Sequence, residues 1–459
     1  MPKVSIIIPA LNSIKYLREC MDSIVNQTLR DIEIIPVDAG STDGTWEMFL
    51  EYAAKDPRVK PMHSDKKSMG YQYNIGMDAA TGDYIGFVET DDYAELDMFE
   101  TLYNAAEESG VDWVKSDFDF FVNVNEDRLC WRARIVPNDL YGGVIDPSGL
   151  SPVLASIDKM WNGIYRRDFI FKSRVRLNET PGAAFQDSGF VKQVVMLASQ
   201  VFFVPISLYR CRRDNEGSSV FNKKSLSFVA DEFHFLLNYF EQQKAHICIW
   251  LPYMLCVVIK EFNNHMKLHA NSKVYPPEIR GVIERFGSLL RRSLDIMDEA
   301  TKSMLERSAV ITMDSLLYDA ETYYKHIYYT RKSLEERYRK GIALLGSESD
   351  IVIFGAGEVG TNYYIFLRLM GINSVVCFCD NDREKWGKTI HGVPVYPLED
   401  TKALYPCACY AVANALFSYD IIKQLRKERI QHELIYDVSV FLPSIAETMG
   451  YLYDGEKSC

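Results

Sequence analysis

Residues 84–92, YIGFVETDD, decide the fold. The first five read as a strand, and the segment ends in three carboxylates, Glu89, Asp91 and Asp92. An apolar strand that stops at clustered acids predicts a buried sheet whose C-terminal edge presents oxygen ligands to a hard divalent cation. A cation at such an edge bridges protein oxygens to diphosphate oxygens that carboxylates alone repel.

Upstream, VSIII at 4–8 reads as a short buried strand, followed by a loop with Pro9, Ala10 and Asn12. Ser13 is the expected N-cap of a helix running to about Gln27. IEIIPVD then ends at Asp38, AGSTDG forms a loop, and a second helix covers 45–54. A third helix is expected over 70–80 and a fourth over 95–109, with WVKSDFDFF from Trp113 alternating like a half-exposed strand. Strands alternating with helices imply a parallel sheet with ligands at the strands' C-terminal ends.

A chain of 459 residues is too long for one ordinary core, and 47% hydrophobic with 25% charged residues marks it as globular. The net charge of −12 argues against a nucleic-acid partner. Ten cysteines lie without a zinc-ligand spacing. The pairs Cys377/Cys379 and Cys407/Cys409 read as core thiols on one strand face. With no signal-peptide pattern at the start, a cytoplasmic location is expected, with the inner face of the membrane as an alternative site of action. The apolar run at 247–259 is broken by Pro252 and falls short of a spanning helix, so no transmembrane segment is expected; peripheral membrane contact stays open. From 222 to 347 apolar residues recur at helical spacing, which predicts four to six helices. The expected division is 1–222, an α/β unit; 223–347, a helical segment; 348–445, a small doubly wound domain; and 446–459, a tail.

Four motifs in order make the N-terminal half resemble the inverting glycosyltransferases of family 2, which have a GT-A fold. They are SIIIPALN, VDAGSTDGT, ATGDYIGFVETDD and WNGIYRRDFI followed by FQDSGF, and the resemblance covers about residues 3–220. It implies that Pro9, Ala10, Asn12 and Asp38 receive the nucleotide of a sugar-nucleotide donor. Asp38 would accept a hydrogen bond from base or ribose, as a carboxylate can only accept. Asp91 corresponds to the last aspartate of the family's DXD motif and Glu89 to the first, which makes them the implied ligands of Mn2+ or Mg2+. Thr90 lies between them. Asp92 reads equally as a cap for the next helix. Asp187 matches the general base, which takes a proton from the acceptor hydroxyl as that oxygen attacks the anomeric carbon. Arg210, Arg212 and Arg213, in YRCRRDNEGSS before Ser218 and Ser219, and Asn74 are implied on the diphosphate side; arginine's planar fork suits phosphate oxygens. The chain departs from the family at Ala39, at Gln186 and at Tyr73, where many relatives carry arginine. It shows no QxxRW motif, so transfer of one sugar at a time, to a glycan or lipid-linked acceptor, is expected.

GAGEVG at 355–360 follows a strand, opens a helix and has Asp380 at the end of the next strand. Gly355, Gly357, Gly360 and Asp380 therefore mark a candidate nucleotide site in a Rossmann-like domain. A domain used only for assembly is the competing reading. Beside the transferase stand two other functions: a decayed sugar-nucleotide-binding module and an NAD-dependent oxidoreductase working through the C-terminal domain. Homo-oligomerisation stays open.

Overall fold

A computed structural model describes residues 2–183, 185–215, 217, 225–345, 350–414, 416–431 and 435–438. The tail expected from 446 and Ser218 and Ser219 lie outside them. The chain forms two units, Met1–Phe120 with Arg132–Tyr328, and Phe121–Trp131 with Tyr329–Cys459.

The N-terminal sheet is built on β1 (Val4–Ala10), β2 (Ile32–Asp38), β3 (Met62–His63), β4 (Tyr84–Phe87), β5 (Tyr93–Ala94), β6 (Trp113–Val124), β7 (Asp127–Ala133), β8 (Val144–Ile145), β9 (Gly163–Arg166) and β10 (Val201–Arg212). The strand order is β3-β2-β1-β4-β9-β6-β10-β5, with β7 beside β6 and β8 beside β10. β1 runs parallel to both β2 and β4, while β9 enters antiparallel to β4 and β6. Every residue of β1, β2 and β4 is buried, as expected of strands covered on both faces by crossover helices. Helices Ile14–Val25, Thr45–Lys55, Met69–Ala79 and Met98–Ser109 supply that cover.

Six helices follow among the described residues: Ser225–Gln242, Lys244–His269, Pro277–Asp295, Glu299–Lys302, Arg307–Tyr318 and Ala320–Leu345. Residues 226–327 of this segment pack into the same hydrophobic core as the sheet, through Trp250, Leu255, Phe262, Phe286 and Tyr324. Pro252 sits inside its helix, flanked by the buried Leu251 and Leu255. No described helix is long and apolar enough to cross a membrane.

The second unit carries a sheet of β11 (Ile351–Phe354), β12 (Val375–Cys379), β13 (Thr389–Ile390), β14 (Val393–Tyr396), β15 (Cys409–Val412) and β16 (Ile435–Asp437) in the order β13-β14-β12-β11-β15-β16. All neighbours are parallel except β13. Strand order reverses beside β11, the doubly wound pattern. Cys377 and Cys379 lie side by side in this core as the period predicts. Of the other pair, Cys409 is buried and Cys407 exposed, because Cys407 precedes the strand.

Candidate functional site

Parallel pairing brings the C-terminal ends of β1, β2 and β4 to one edge, with Ala10 opposite Asp38 and Ile7 opposite Phe87. Asp38 Oδ2 accepts the Gly40 and Ser41 N–H groups at 2.9 and 3.0 Å, while its buried Oδ1 has no hydrogen-bond partner. The residue thus makes an Asx turn and still presents one open acceptor. Asn12, at φ 53°, donates its N–H to Ser41 Oγ and accepts from the Thr42 N–H, so the loops after β1 and β2 are tied together. Thr90 Oγ1 donates to Ser13 Oγ at 2.8 Å and joins the third loop to them. Pro9, Ala10, Asn12, Asp38 and Thr90 therefore lie on one rim.

Glu89, Asp91 and Asp92 follow at the end of β4, and one side-chain oxygen of each lies within 4.8 Å of the others. Burial first, then the negative neighbours, pushes the Glu89 and Asp92 carboxyls well above the ordinary range. Asp92 Oδ1 accepts the Arg212 N–H at 2.7 Å, and its Oδ2 is buried without a partner. Crowded carboxylates with an unsatisfied buried oxygen fit a divalent cation, which would relieve the repulsion and take that lone pair. Tyr209 Oη accepts the Glu89 N–H, and Asn215 Nδ2 donates to Asp91 Oδ2 at 2.7 Å. Arg212 holds the loop from behind: its Nε donates to the Asp91 carbonyl at 2.9 Å, and its fork pairs with Glu19 and Asp214 over the Tyr16 ring.

Asp187 lies in the first turn of helix Gln186–Leu197, half-buried, just after a left-handed Phe185 at φ 64°. Burial pushes its carboxyl up, Lys159 pulls it back, and Asp158 adds to the rise. Glu89 feels the charges of Asp92, Asp91, Asp187 and Lys159, which puts the acid cluster and Asp187 within electrostatic reach of each other. Tyr73 is fully buried and feels all four carboxylates, and its hydroxyl has no hydrogen-bond partner. Its ring meets Phe87 edge-on at 5.1 Å.

Other expected residues are engaged elsewhere. The Asn74 side chain donates to the Leu177 carbonyl and Glu179 and accepts the Leu177 N–H, which fastens helix Met69–Ala79 to the 177–179 segment. Arg210 is paired with Asp119 at 2.6 Å and Glu95 at 2.9 Å. Arg213 lies over the Phe120 ring at 4.1 Å, and its charge is felt by Asp92, Asp158 and Lys159. In the second unit Asp380 Oδ2 accepts the Ala356 N–H at 2.7 Å and Lys385 Nζ at 3.0 Å, and its Oδ1 accepts the Asp382 N–H. A Cβ on Gly360 would meet the Gly355 carbonyl oxygen at 1.7 Å, whereas one on Gly357 would meet nothing. Lys159, Asp158 and Asn215 were not expected at the centre, and Arg212 was expected only as one of the arginines on the diphosphate side. The only signal for Asp158 and Lys159 was their place just before WNG; Arg212 and Asn215 sat unseparated in the basic run.

Residues 5–142 match the family described as "Glycosyl transferase family 2". Glycosyltransferase GlyA of Streptococcus pneumoniae is 28% identical over 238 residues, 50% of this chain and 33% of its own. The Bacillus subtilis protein named uncharacterized glycosyltransferase EpsJ is 32% identical over 47% of this chain and 62% of its own. The cholesterol galactosyltransferase of Borreliella burgdorferi is 32% identical over 49% and 65%. The chain thus spans between a third and two thirds of the length of these relatives. Among solved structures, Staphylococcus aureus TarS 1–349 in complex with UDP-GlcNAc superposes with a TM-score of 0.56 at 18% identity, over 74% of this chain and 92% of that one. The N-terminal sheet is that of a GT-A fold. Residues 5–142 thus carry a segment similar to glycosyl transferase family 2.

Proposed function

We propose that the chain is an inverting, non-processive glycosyltransferase that moves one sugar from a UDP-linked donor to a glycan or lipid-linked acceptor, in the cytoplasm or at the inner face of the membrane. The observation that carries this is the joint placement of Glu89, Asp91 and Asp92 with Asp187 in one electrostatic neighbourhood. Glu89 and Asp91 would hold Mn2+ or Mg2+, which when bound neutralises the diphosphate. Asp38 Oδ1 accepts a hydrogen bond from base or ribose, on the rim formed by Pro9, Ala10, Asn12 and Thr90. Arg213, rather than the already paired Arg210, faces the diphosphate. The bond from the acceptor oxygen to the anomeric carbon forms as the bond to the diphosphate oxygen breaks. The electron pair leaves with the diphosphate, and the acceptor's proton ends on Asp187. Displacement from the far face needs one catalytic carboxylate. In functional terms 1–222 carries donor and base, 223–347 covers the acceptor side, and 348–445 is a separate domain. The nucleotide site at Gly355, Gly357, Gly360 and Asp380 is the weaker reading, since Asp380 is already satisfied.

Asp187→Asn is expected to lower transfer at least a hundredfold, the size of a lost general base, while leaving donor affinity within about twofold. Turnover at the unaltered rate in a transfer assay removes Asp187 from the reaction. Metal-dependent release of nucleotide from UDP-glucose, UDP-galactose or UDP-N-acetylglucosamine tests the transferase itself against a decayed binding module, which would release none.

A further inference from the structure

One helix outside the family match reaches the same centre. Lys244–His269 packs against helix Gln186–Leu197 and the short helix Ser151–Leu154. His265 is 7% exposed, and its ring meets Phe185 edge-on at 4.7 Å, two residues before Asp187. Glu261 stands one turn earlier on the same face. Its half-buried carboxylate has no hydrogen-bond or ion-pair partner among the described residues, and it feels the charges of Asp158, Lys159, Lys192 and Asp187. Asp158 and Lys159 pair at 2.9 Å while keeping 40% and 26% of their side-chain surface open to solvent. The buried, unpartnered Tyr73 hydroxyl adds a polar atom within electrostatic reach of Asp187.

The cations around Asp187 are already committed. Lys115 donates to the Lys159 carbonyl, Lys192 to the Ile157 carbonyl at 2.6 Å, and Lys159 to Asp158. Of the three carboxylates here, Asp158 is taken by Lys159, and Asp187 and Glu261 remain. Each of these lysines already donates to a protein acceptor, which leaves none dedicated to a phosphorylated ligand, whereas the Asp187 and Glu261 carboxylates, which have no ion pair among the described residues, accept hydrogen bonds from hydroxyl groups. Burial drives the Glu261 carboxyl up to about 7 and the His265 imidazole down to about 4, so His265 is neutral at physiological pH.

Resting on the transferase reading above, we propose that helix Lys244–His269 is the acceptor wall, with Glu261 and His265 as positioning residues for a neutral, hydroxyl-rich sugar that presents its attacking oxygen to Asp187. The helix then sets acceptor specificity while the sheet edge sets donor specificity.

The test is a kinetic split on the full chain with Mn2+ and UDP-glucose, UDP-galactose or UDP-N-acetylglucosamine as donor. Glucose, galactose, N-acetylglucosamine and lactose are compared as acceptors with glucose 6-phosphate and galactose 6-phosphate. Neutral sugars are expected to stimulate turnover over their phosphates. Glu261→Gln and His265→Asn are expected to raise the acceptor KM about tenfold or more, with donor KM within about twofold, and Glu261→Asp to recover part of the loss. An unchanged donor KM separates this outcome from misfolding. Acceptor KM unmoved in both variants, a preference for the phosphates, or no stimulation by any neutral sugar overturns the proposal. Failure of the unaltered chain to bind or consume any donor, seen without acceptor present, overturns the transferase reading and this proposal with it.

Discussion

Glu33 is a 3% exposed carboxylate near the start of β2. Its Oε1 accepts from Ser5 Oγ, the Thr81 N–H and Thr81 Oγ1 at 2.7, 2.6 and 2.8 Å, and Oε2 pairs with Lys60 at 2.8 Å. Burial pushes its carboxyl up, but Lys60 and the three donors win and hold it at about 2, below its ordinary 4.5. A depressed folded value gives stability that is complete above about 4.5 and is lost as pH falls through about 2. Glu33→Gln is therefore expected to cost about 2–3 kcal/mol at pH 7, with the gap to the unaltered chain closing between pH 4.5 and 2, as read by urea denaturation. Asp38, Glu89, Asp91 and Asp187 were legible because each stands at a strand end or in a motif. Arg212 was read only as part of the basic run, and its bracing role and that of Asn215 were not legible, because they come from Glu19 and Asp91, 193 and 124 residues away in the chain.

Alternation of strand and helix was legible at the level of elements because period-2 and period-3.6 patterns are local. Caps were less so. Ser13, the expected N-cap, makes no capping bond with its side chain. Asp43 in the next loop accepts the Ile14 N–H instead, at 3.0 Å, a tertiary replacement that no local pattern announces. The glycine motif of the second unit was legible as fold, and two of its glycines answer to packing. Gly355, at φ 124°, and Gly360 are required by backbone contacts, to Ala413 and to Gly355 respectively. Gly360→Ala is expected to destabilise that unit by about 1–3 kcal/mol through overpacking of helix on strand. Faster hydrogen exchange at Ile351–Phe354 and Val375–Cys379 checks this, and unchanged exchange refutes it.

For the molecule as a whole, composition excluded classes but assigned no roles. The helical segment was legible as helices, yet its convergence on Asp187 was not, since Glu261 and His265 lie 74 and 78 residues beyond that aspartate. On the transferase reading, the acid cluster is expected to set the response to metal. Mn2+ at a hundredfold excess over its Kd is expected to stabilise the chain by about 2.7 kcal/mol, read as a rise in Tm that EDTA reverses. Glu89→Gln combined with Asp91→Asn removes the rise; an undiminished one places the ion elsewhere. Arg212 has a further consequence. A cradle braced from beneath by a buried guanidinium has little ordering entropy left to lose when its guest arrives. On the proposed donor reading, affinity is then expected to be a matter of charge and contact and to fall as ionic strength rises.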